Sequence, residues 1–254
     1  MTGRLGLDIG STTAKAVLLD ADNRIAASRI LPTGCDLKAV ALQLRQEVLA
    51  AAGMSAGDVT VVATGYGRGL VDFAARTVTE ITCHARGVRR LHPDAHTVID
   101  VGGQDAKAIR LGARGQVEDF AMNDRCAAGT GSFLDVIARR LGRDLASLSD
   151  LPVSDVRPPE ISSTCVVFAE SEVVGLIARG HRPDEVLAGV HRAIARRVAA
   201  LAQQVRAEAP LYFSGGVALN ETLRRELERA LGMPLRRSDQ PQLTAALGAA
   251  LLAG

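Results

Sequence analysis

The chain has 254 residues, of which 47% are hydrophobic and 3% aromatic, and this composition predicts a large aliphatic core in one large or two modest domains. Its 30 basic and 28 acidic residues give a formal charge of +2, which argues against nucleic acid or an anionic membrane surface as the main partner. The first residues form no leader of basic then apolar residues, and no uncharged apolar stretch reaches the ~20 residues of a membrane span. We therefore expect a cytoplasmic protein with no nucleic-acid and no membrane partner.

The first third of the chain predicts a meander, a helix and a buried strand. Alternating and apolar runs bounded by turn residues indicate the strands, and apolar residues at helical spacing indicate the helix. In chain order these are strands at 5–10, 16–22 and 24–31, a helix from 37 to 49 and a strand at 59–64.

A second set of elements begins at residue 97. It comprises strands at 97–101, 106–111, 117–122, 211–214 and 234–237 and helices at 127–141, 168–179, 183–208, 220–231 and 243–252. We expect two subdomains, residues 1–94 and 95–242, with the C-terminal helix, residues 243–254, packing back on the first.

The two sets share a motif at a constant offset of 92 residues, which is 100 − 8. Residues 8–17 read DIGSTTAKAV and residues 100–109 read DVGGQDAKAI. Each copy ends a strand with Asp-x-Gly and opens the next strand with Ala-Lys-Ala. Chance similarity between two buried hairpins is the alternative, and two homologous halves that face each other are favoured.

Both copies have the composition of a phosphate-binding turn. Small residues after Asp-x-Gly let backbone N–H groups approach a phosphate without a Cβ in the way, and the hydroxyls of residues 11–13 add donors. Asp8 and Asp100 would face each other across the gap between the halves and hold Mg²⁺ mainly through water. The alternative for each turn is an Asp that caps its own backbone.

A third glycine turn follows later in the chain. Residues 213–220 read FSGGVALN, which predicts a buried strand, a Gly-Gly turn and a helix start. Such a turn suits the adenosine half of a nucleotide, and simple strand–helix packing is its alternative. The Walker pattern is absent from the sequence, since AGTG at 128–131 has no lysine in place.

The four cysteines are Cys35, Cys83, Cys126 and Cys165, and none forms a C-x-x-C pair. Free thiols or metal ligands are favoured over disulfides in a reducing cytosol, and a zinc knuckle or a single-chain ferredoxin-type site is weakly supported. Cys126 precedes a Gly-rich helix start expected at residue 127, where free N–H groups favour an anion, either a phosphate or a metal–thiolate cluster. We interpret Cys83, in the helix-like segment 80–85, as a buried small hydrophobe, with a ligand as the less favoured alternative, and Cys35 as incidental.

The three glycine turns resemble those of the actin, sugar-kinase and Hsp70 superfamily, over nearly the whole chain. This implies a duplicated α/β fold of ribonuclease H type, with two domains around a nucleotide cleft. Four segments, ATGYGR at 63–68, VIDVGGQD at 98–105, MNDRCAAGTG at 122–131 and ISSTCVVFAESEV at 161–173, resemble the signature blocks of one branch. That branch comprises the ATP-dependent activators of 2-hydroxyacyl-CoA dehydratases, which are related to the ATPase subunits of benzoyl-CoA reductase.

The resemblance implies a homodimer that holds one [4Fe–4S] cluster on its two-fold axis. Cys126 and Cys165 match the two thiolates of each subunit, and two chains together supply the four ligands that such a cluster needs. The helix expected at residue 127 would then direct its positive dipole end at the anionic cluster.

The same resemblance implies bound ATP and Mg²⁺. Asp8 and Asp100 would handle the magnesium and its waters, and Gln104 would position the attacking water. The remaining nucleotide residues are Gly10, Ser11, Thr12, Thr13, Lys15, Gly102 and Gly103 for the phosphates and Gly215, Gly216 and Ala218 for the adenosine half. Lys15 and Lys107 are alternatively exposed strand residues.

The implied activity is ATP hydrolysis coupled to electron transfer. Reduced ferredoxin or flavodoxin would supply one electron, and a CoA-ester dehydratase would receive it at low potential. The alternatives are the ATPase subunit of a benzoyl-CoA-type reductase and, less favoured, a small-molecule kinase such as an amino-sugar kinase, which would leave Cys126 and Cys165 unexplained. A nucleotide-binding regulator without catalysis is a further alternative. We assign no role to the five histidines, interpret Glu170 and Glu172 as helix caps and expect the helix face at 191–206 to be solvated.

Overall fold

The structure, a computed structural model, describes residues 3–123, 127–149, 158–162 and 165–254. By its internal contacts the chain forms two compact units. The first unit comprises Met1–Ala95, Leu111–Glu118 and Ser238–Gly254, and the second unit comprises His96–Arg110 and Asp119–Arg237. The subdomain bounds expected from the sequence, 1–94 and 95–242, stay a prediction.

Strands and α-helices occupy much of the described chain. The strands are β1 (Gly3–Ile9), β2 (Thr13–Leu19), β3 (Ile25–Pro32), β4 (Val59–Thr64), β5 (Arg76–Thr77), β6 (Thr97–Val101), β7 (Ala106–Leu111), β8 (Val117–Asn123), β9 (Leu211–Ser214) and β10 (Leu235–Arg236). The helices are α1 (Leu37–Ala52), α2 (Glu80–Leu91), α3 (Gly131–Arg140), α4 (Val166–Ala178), α5 (Pro183–Gln204), α6 (Glu221–Leu231) and α7 (Thr244–Leu251).

The two sheets have the same topology. The first is ordered β3-β2-β1-β4-β5, and the second, taken in the same direction, is ordered β8-β7-β6-β9-β10. The central strands β1 and β6 pair antiparallel with the strand that follows them, β2 and β7, and parallel with a strand much later in the chain, β4 and β9. This equivalence extends the sequence repeat of residues 8–17 and 100–109 to whole five-stranded sheets.

Helix α1 illustrates how local sequence produces an element. Asp36 caps it by accepting a hydrogen bond from the Ala39 N–H at 2.9 Å, and Gly53 ends it in the left-handed conformation, with φ of 65°. Its buried residues recur at helical spacing, so one face packs on the first sheet. They are Val40, Ala41, Leu44, Val48 and Leu49. The predicted helix at 37–49 is therefore confirmed.

The helix expected at 127–141 begins four residues later than predicted. Residues 127–130 instead form a turn in which the N–H groups of Gly129 and Thr130 donate to the carbonyl of Ala127, at 2.8 and 3.1 Å. The Thr130 hydroxyl donates to the same carbonyl at 2.6 Å, and its backbone is extended, with φ of −135°. Hydroxyl competition of this kind favours turns over helix, so α3 begins only at Gly131.

Helix α7 is almost entirely small and buried, with the sequence TAALGAAL. It packs on β1, β2 and β4 and on helix α2, all within the first unit. A Cβ at Gly6 of β1 would lie 2.0 Å from the Ala246 carbonyl oxygen, so the strand and helix backbones approach closely.

Within the described residues, no helix combines the length and apolar character needed to cross a bilayer.

Candidate active site

In the first unit, three residues lie side by side across the sheet. Asp8 on β1 is in register with Lys15 on β2 and with Thr64 on β4. The Lys15 Nζ lies 3.2 Å from Asp8 Oδ2, and both side chains are nearly buried. The turn that follows is anchored by Thr33, whose hydroxyl donates to the Gly10 carbonyl at 2.8 Å and whose N–H donates to the Thr12 carbonyl at 3.0 Å.

The second unit repeats this row with more contacts. Asp100 on β6 is in register with Lys107 on β7 and with Ser214 on β9. The Ser214 hydroxyl donates to Asp100 Oδ1 at 2.8 Å, and Lys107 Nζ lies 3.3 Å from Asp100 Oδ2. Lys107 also donates to Asp105 Oδ2 at 2.6 Å. The alternative of Lys15 and Lys107 as exposed strand residues is wrong, because each turns back onto its paired aspartate.

A glycine follows each of these rows and lies against the aspartate. Gly65, after Thr64, has φ of 92°, and a Cβ there would lie 2.6 Å from Asp8 Oδ1 and 2.5 Å from the Ile9 carbonyl oxygen. Gly215, after Ser214, has φ of 89°, and a Cβ there would lie 2.9 Å from Asp100 Oδ1. Both positions therefore require glycine for conformation and for space.

The sequence interpretation missed the role of Gly65, although the segment 63–68 resembles a signature block. Its signal is the order strand, hydroxyl residue, glycine, which residues 62–65 and 212–215 share. The loop after Gly65 is also held on the Asp8 turn, since the Gly67 N–H donates to the Ile9 carbonyl at 2.8 Å.

The turn after Asp100 is bonded to the start of α3. The Gly102 N–H donates to the Asp105 carbonyl at 2.9 Å, which closes the turn. The N–H groups of Gly131 and Ser132 donate to the carbonyls of Gly102 and Gly103, at 2.9 and 2.8 Å. These two N–H groups at the start of α3 are therefore satisfied by the turn. The sequence interpretation expected free N–H groups at the start of this helix to bind an anion, and these two are not free.

The remaining predicted nucleotide residues lie in the turns themselves. Ser11 and Thr13 are half-buried, whereas Thr12, Gln104 and Gly216 are exposed. Ala218 is buried in a short 3₁₀ turn, Gly216–Leu219, and its carbonyl accepts from Arg237 Nη1 at 3.0 Å. The strand–turn–helix prediction for 213–220 thus needs one correction, since α6 begins only at Glu221.

His191 holds the far end of that turn. Its Nε2 accepts from Asn220 Nδ2 at 3.1 Å, and its Nδ1 donates to the Leu187 carbonyl at 2.7 Å. Asn220 Oδ1 in turn caps α6 by accepting from the Leu223 N–H at 2.8 Å. Burial lowers the pKa of His191, so the imidazole is held neutral in the tautomer with the proton on Nδ1.

The sequence interpretation gave the histidines no role and placed a solvated face at 191–206. The signal for His191 was present, because it continues the buried stripe of Leu187, Val190 and Ile194 on α5. Two arginines of this helix pair with glutamates, Arg192 with Glu226 at 3.5 Å and Arg196 with Glu160 at 3.0 Å, while much of the segment 191–206 is buried.

Cys165 is exposed and stands at the N-cap position of α4. The segment before it is tied to the same helix by Glu172, whose Oε1 accepts from the Ser162 N–H at 3.0 Å and from the Ser162 hydroxyl at 2.9 Å. Glu170 pairs with Arg140 of α3 at 3.5 Å. Both glutamates therefore connect α4 to its neighbours. The interpretation of Glu170 and Glu172 as caps of this helix is wrong, because neither lies in its first turn.

The other thiols differ in environment. Cys83 is fully buried on α2, and burial raises the pKa of its thiol to about 11, which confirms the interpretation of a small buried hydrophobe. Cys35 is exposed. The predicted ligand Cys126 lies outside the described residues. Within residues 3–123, 127–149, 158–162 and 165–254, no cluster of three or more His, Cys, Asp or Glu side chains could hold a metal ion.

The model of the BadF/BadG/BcrA/BcrD ATPase family matches residues 5–253. The chain is 41% identical over 251 residues to the (R)-2-hydroxyglutaryl-CoA dehydratase activating ATPase of Acidaminococcus fermentans, covering 98% of this chain and 96% of the relative. It is 35% identical over 237 residues to one subunit of the benzoyl-CoA reductase of Thauera aromatica, covering 91% of this chain and 84% of that subunit.

Solved structures show the same likeness. The activator of the 2-hydroxyisocaproyl-CoA dehydratase from Clostridium difficile with bound ADPNP has a TM-score of 0.92 at 39% identity, over 99% of this chain and 94% of that chain. A ROK hexokinase from Thermus thermophilus has a TM-score of 0.52 at 18% identity, over 98% of both chains, and shares the fold alone. The predicted duplicated α/β fold of the actin and sugar-kinase type is confirmed.

Proposed function

The chain belongs to the BadF/BadG/BcrA/BcrD ATPase family, and from this premise we propose that it is an ATP-driven activator that delivers low-potential electrons to a CoA-ester dehydratase. The observation that carries the proposal is the repeated row of Asp8 with Lys15 and Asp100 with Lys107, each at the end of a central strand. Its identity of about 40% with dehydratase activators, along the full chain, supports the same conclusion.

We propose that the two turns bind the phosphates and Mg²⁺ of one ATP. The carboxylates of Asp8 and Asp100 suit a hard cation, and Asp100 already uses both oxygens for Ser214 and Lys107. Asp100 would therefore contact Mg²⁺ through water, and Gln104, exposed in the turn, would orient the attacking water.

The remaining contacts follow from the turns. The phosphates would bind to Gly10, Ser11, Thr12, Thr13, Lys15, Gly102 and Gly103, and the adenosine half would bind to Gly215, Gly216 and Ala218. Lys15 supplies the positive charge, and Thr33 and Asp105 hold the two turns in shape through backbone and side-chain hydrogen bonds.

We further propose that Cys126 and Cys165 hold a [4Fe–4S] cluster shared by two copies of the chain. Cys165 fits this role because its thiol is exposed at the N-terminal end of α4, where the positive end of the helix dipole suits an anionic cluster. When bound, the cluster would accept one electron from reduced ferredoxin or flavodoxin and donate it to the dehydratase. We also propose that the protein acts in the cytoplasm.

A second candidate is the ATPase subunit of a benzoyl-CoA-type reductase. It is favoured by the 35% identity to a subunit of the Thauera aromatica benzoyl-CoA reductase. The two candidates share nucleotide and cluster chemistry and differ in the partner, so co-purification of the full chain with its partner from the native cell distinguishes them.

Iron analysis tests the thiol assignment. We expect the anaerobically purified protein to contain about four irons and four acid-labile sulfides per dimer. Cys165→Ser and Cys126→Ser should each lose this iron, while Cys35→Ser, which removes another exposed thiol, should retain it. A wild-type protein without iron, or a Cys165→Ser variant with full iron content, contradicts the cluster assignment.

ATPase assays test the nucleotide assignment. Asp100→Asn keeps the size of the side chain and removes its charge, so we expect kcat to fall about 10²-fold or more. Asp119→Asn changes an exposed carboxylate in the same unit and should leave kcat unchanged. Hydrolysis at the wild-type rate by Asp100→Asn would rule out the magnesium role.

A further inference from the structure

The two lysines that the duplication relates have different surroundings. Lys15 forms an ion pair with one carboxylate of its row, Asp8, and its side chain is 13% exposed. Lys107 lies between two carboxylates, Asp100 at 3.3 Å and Asp105 at 2.6 Å, and its side chain is 2% exposed. The difference originates in sequence, because the position that corresponds to Asp105 in the first copy, 105 − 92 = 13, is Thr13.

This difference decides what each ammonium group can do. A lysine buried as deeply as Lys107 is stable in its charged form only when carboxylates compensate the loss of water. Contacts to Asp100 at 3.3 Å and to Asp105 at 2.6 Å provide that compensation. A phosphate oxygen that approached Lys107 would have to displace one of them, whereas Lys15 keeps part of its surface open.

Asp100 is correspondingly fixed from both sides. Ser214 on β9 donates to Oδ1 and Lys107 on β7 donates to Oδ2, and both neighbours are in backbone register with Asp100. Rotation of the carboxylate would therefore break these hydrogen bonds. Asp105 in turn anchors Lys107, and its own carbonyl closes the turn onto Gly102.

We propose that Lys107, with Asp105 and Ser214, is a positioning residue that orients Asp100 toward the waters of Mg²⁺, while its duplicated counterpart Lys15 binds phosphate directly. The two copies of the motif thus have different roles, since Lys15 contacts the ligand and Lys107 contacts only other protein groups. This inference rests on the proposed function, since it requires that nucleotide and Mg²⁺ bind at the two turns.

The test compares Lys107→Met with Lys15→Met in two measurements. The first is the affinity for ADP in the presence of EDTA, by isothermal titration calorimetry. The second is the affinity of the protein–ADP complex for Mn²⁺, from the EPR signal of free Mn²⁺. We expect Lys15→Met to weaken ADP binding in EDTA about tenfold or more, because it removes a charged hydrogen bond. Lys107→Met should change it less than about twofold and instead weaken Mn²⁺ binding about tenfold.

Ser214→Ala is the second variant, because Lys107→Met leaves the buried Asp100 and the half-buried Asp105 without their ammonium partner and could fail to fold. It removes one hydrogen bond to Asp100 with no change in charge, so Mn²⁺ binding should weaken about threefold or more while ADP binding in EDTA is retained. The half-saturating Mg²⁺ concentration of the ATPase should also rise, more in Lys107→Met than in Ser214→Ala.

The outcomes separate the inference from its premise. Equal loss of ADP affinity in EDTA for Lys107→Met and Lys15→Met would overturn the inference, because Lys107 would then contact the nucleotide. Unchanged Mn²⁺ affinity in Ser214→Ala would also overturn it. A wild-type chain that binds no ADP and no ADP–Mn²⁺ would instead refute the nucleotide site on which the inference rests.

Discussion

Gly65 and Gly215 occupy equivalent places in the two units, directly after the strands that flank β1 and β6 on the parallel side. Each has a positive φ and lies against the carboxylate of its aspartate, so neither can carry a side chain. His191 is a third residue whose position matters, because it holds Asn220 at the end of the glycine turn. These three residues thus shape the proposed site through contacts within the protein.

Gly215→Ala should abolish nucleotide binding and lower the stability of the protein. The new Cβ would lie 2.3 Å from the Val101 carbonyl oxygen, and the left-handed backbone alone costs about 1–3 kcal/mol for a residue with a Cβ. We expect lower thermal stability together with loss of nucleotide binding, measured by calorimetry with ADPNP. Gly69→Ala is the control, since a Cβ there meets nothing within 4 Å.

His191 should make stability depend on pH. Burial lowers its pKa from the ordinary 6.5, so below about pH 6.5 the unfolded chain binds a proton that the folded chain resists. Stability is therefore full above this pH and falls as the pH decreases, by at most about 1.4 kcal/mol per pH unit.

Urea unfolding at pH 7.5 and 5.5 measures this effect. In His191→Gln the difference in unfolding free energy between the two pH values should be smaller than in the wild type. His96→Gln, which changes an exposed histidine of the same unit, should keep the wild-type difference. An unchanged difference in His191→Gln would show that another group carries the pH dependence.

Helices α2 and α7 show how element packing depends on small residues. A Cβ at Gly87 of α2 would lie 2.1 Å from the Thr244 carbonyl oxygen, and a Cβ at Gly248 of α7 would lie 1.8 Å from the Cys83 carbonyl oxygen. The two helices therefore meet backbone to backbone at both glycines. Since α7 also lies against β1, this contact positions the strand that carries Asp8.

Gly248→Ala should destabilise the first unit although alanine favours helix. Overpacking of this kind costs about 1–3 kcal/mol, which corresponds to a fall in Tm of several degrees for a chain of this length. Gly175→Ala in α4 is the matched control, because its Cβ would meet only the end of the Arg179 side chain at 3.4 Å. That variant should gain about 0.5–1 kcal/mol from helix propensity, and a gain in Gly248→Ala as well would contradict the close contact.

The whole molecule consists of two units with one sheet topology, and each contributes one Asp–Lys row. The proposed function assigns the phosphates of a single nucleotide to the turns of both. The rows nevertheless differ in charge, since the second has two carboxylates for one lysine. The duplicated halves therefore have related folds and different chemistry.

Hydrogen exchange on the full chain tests whether one nucleotide uses both units. We expect ADPNP with Mg²⁺ to slow exchange in residues 8–15 and 100–107 together, at the same half-saturating concentration, because ligand binding to the folded state suppresses local opening. Residues 37–52, which form α1, serve as the internal control and should change little. Protection of only one turn would show that the nucleotide binds to one unit.

Much of the site was predictable from local sequence. The repeat at 8–17 and 100–109 and the glycine turn at 215–216 are short patterns with a physical meaning at each residue, whereas the roles of Cys126 and Cys165 stay predictions. Most strands and helices were predicted to within a few residues. The exceptions are informative. Helix α3 was displaced by the hydroxyl of Thr130, α2 (Glu80–Leu91) was indicated only by the helix-like residues 80–85, and the two-residue strand β5 was missed because it is too short for a periodic pattern.

The sequence by itself determined the duplicated motif, the binary pattern of the elements and the family resemblance, because these depend on residue type and near-neighbour spacing. Only the tertiary structure decided that Thr64 and Gly65 lie beside Asp8, that Ser214 donates to Asp100 and that Lys107 is buried between two carboxylates. Strand β4 is about 50 residues from β1, and β9 is more than 100 residues from β6. Parallel pairing over such distances has no local signal, since its register is selected by the packing of whole sheets and helices.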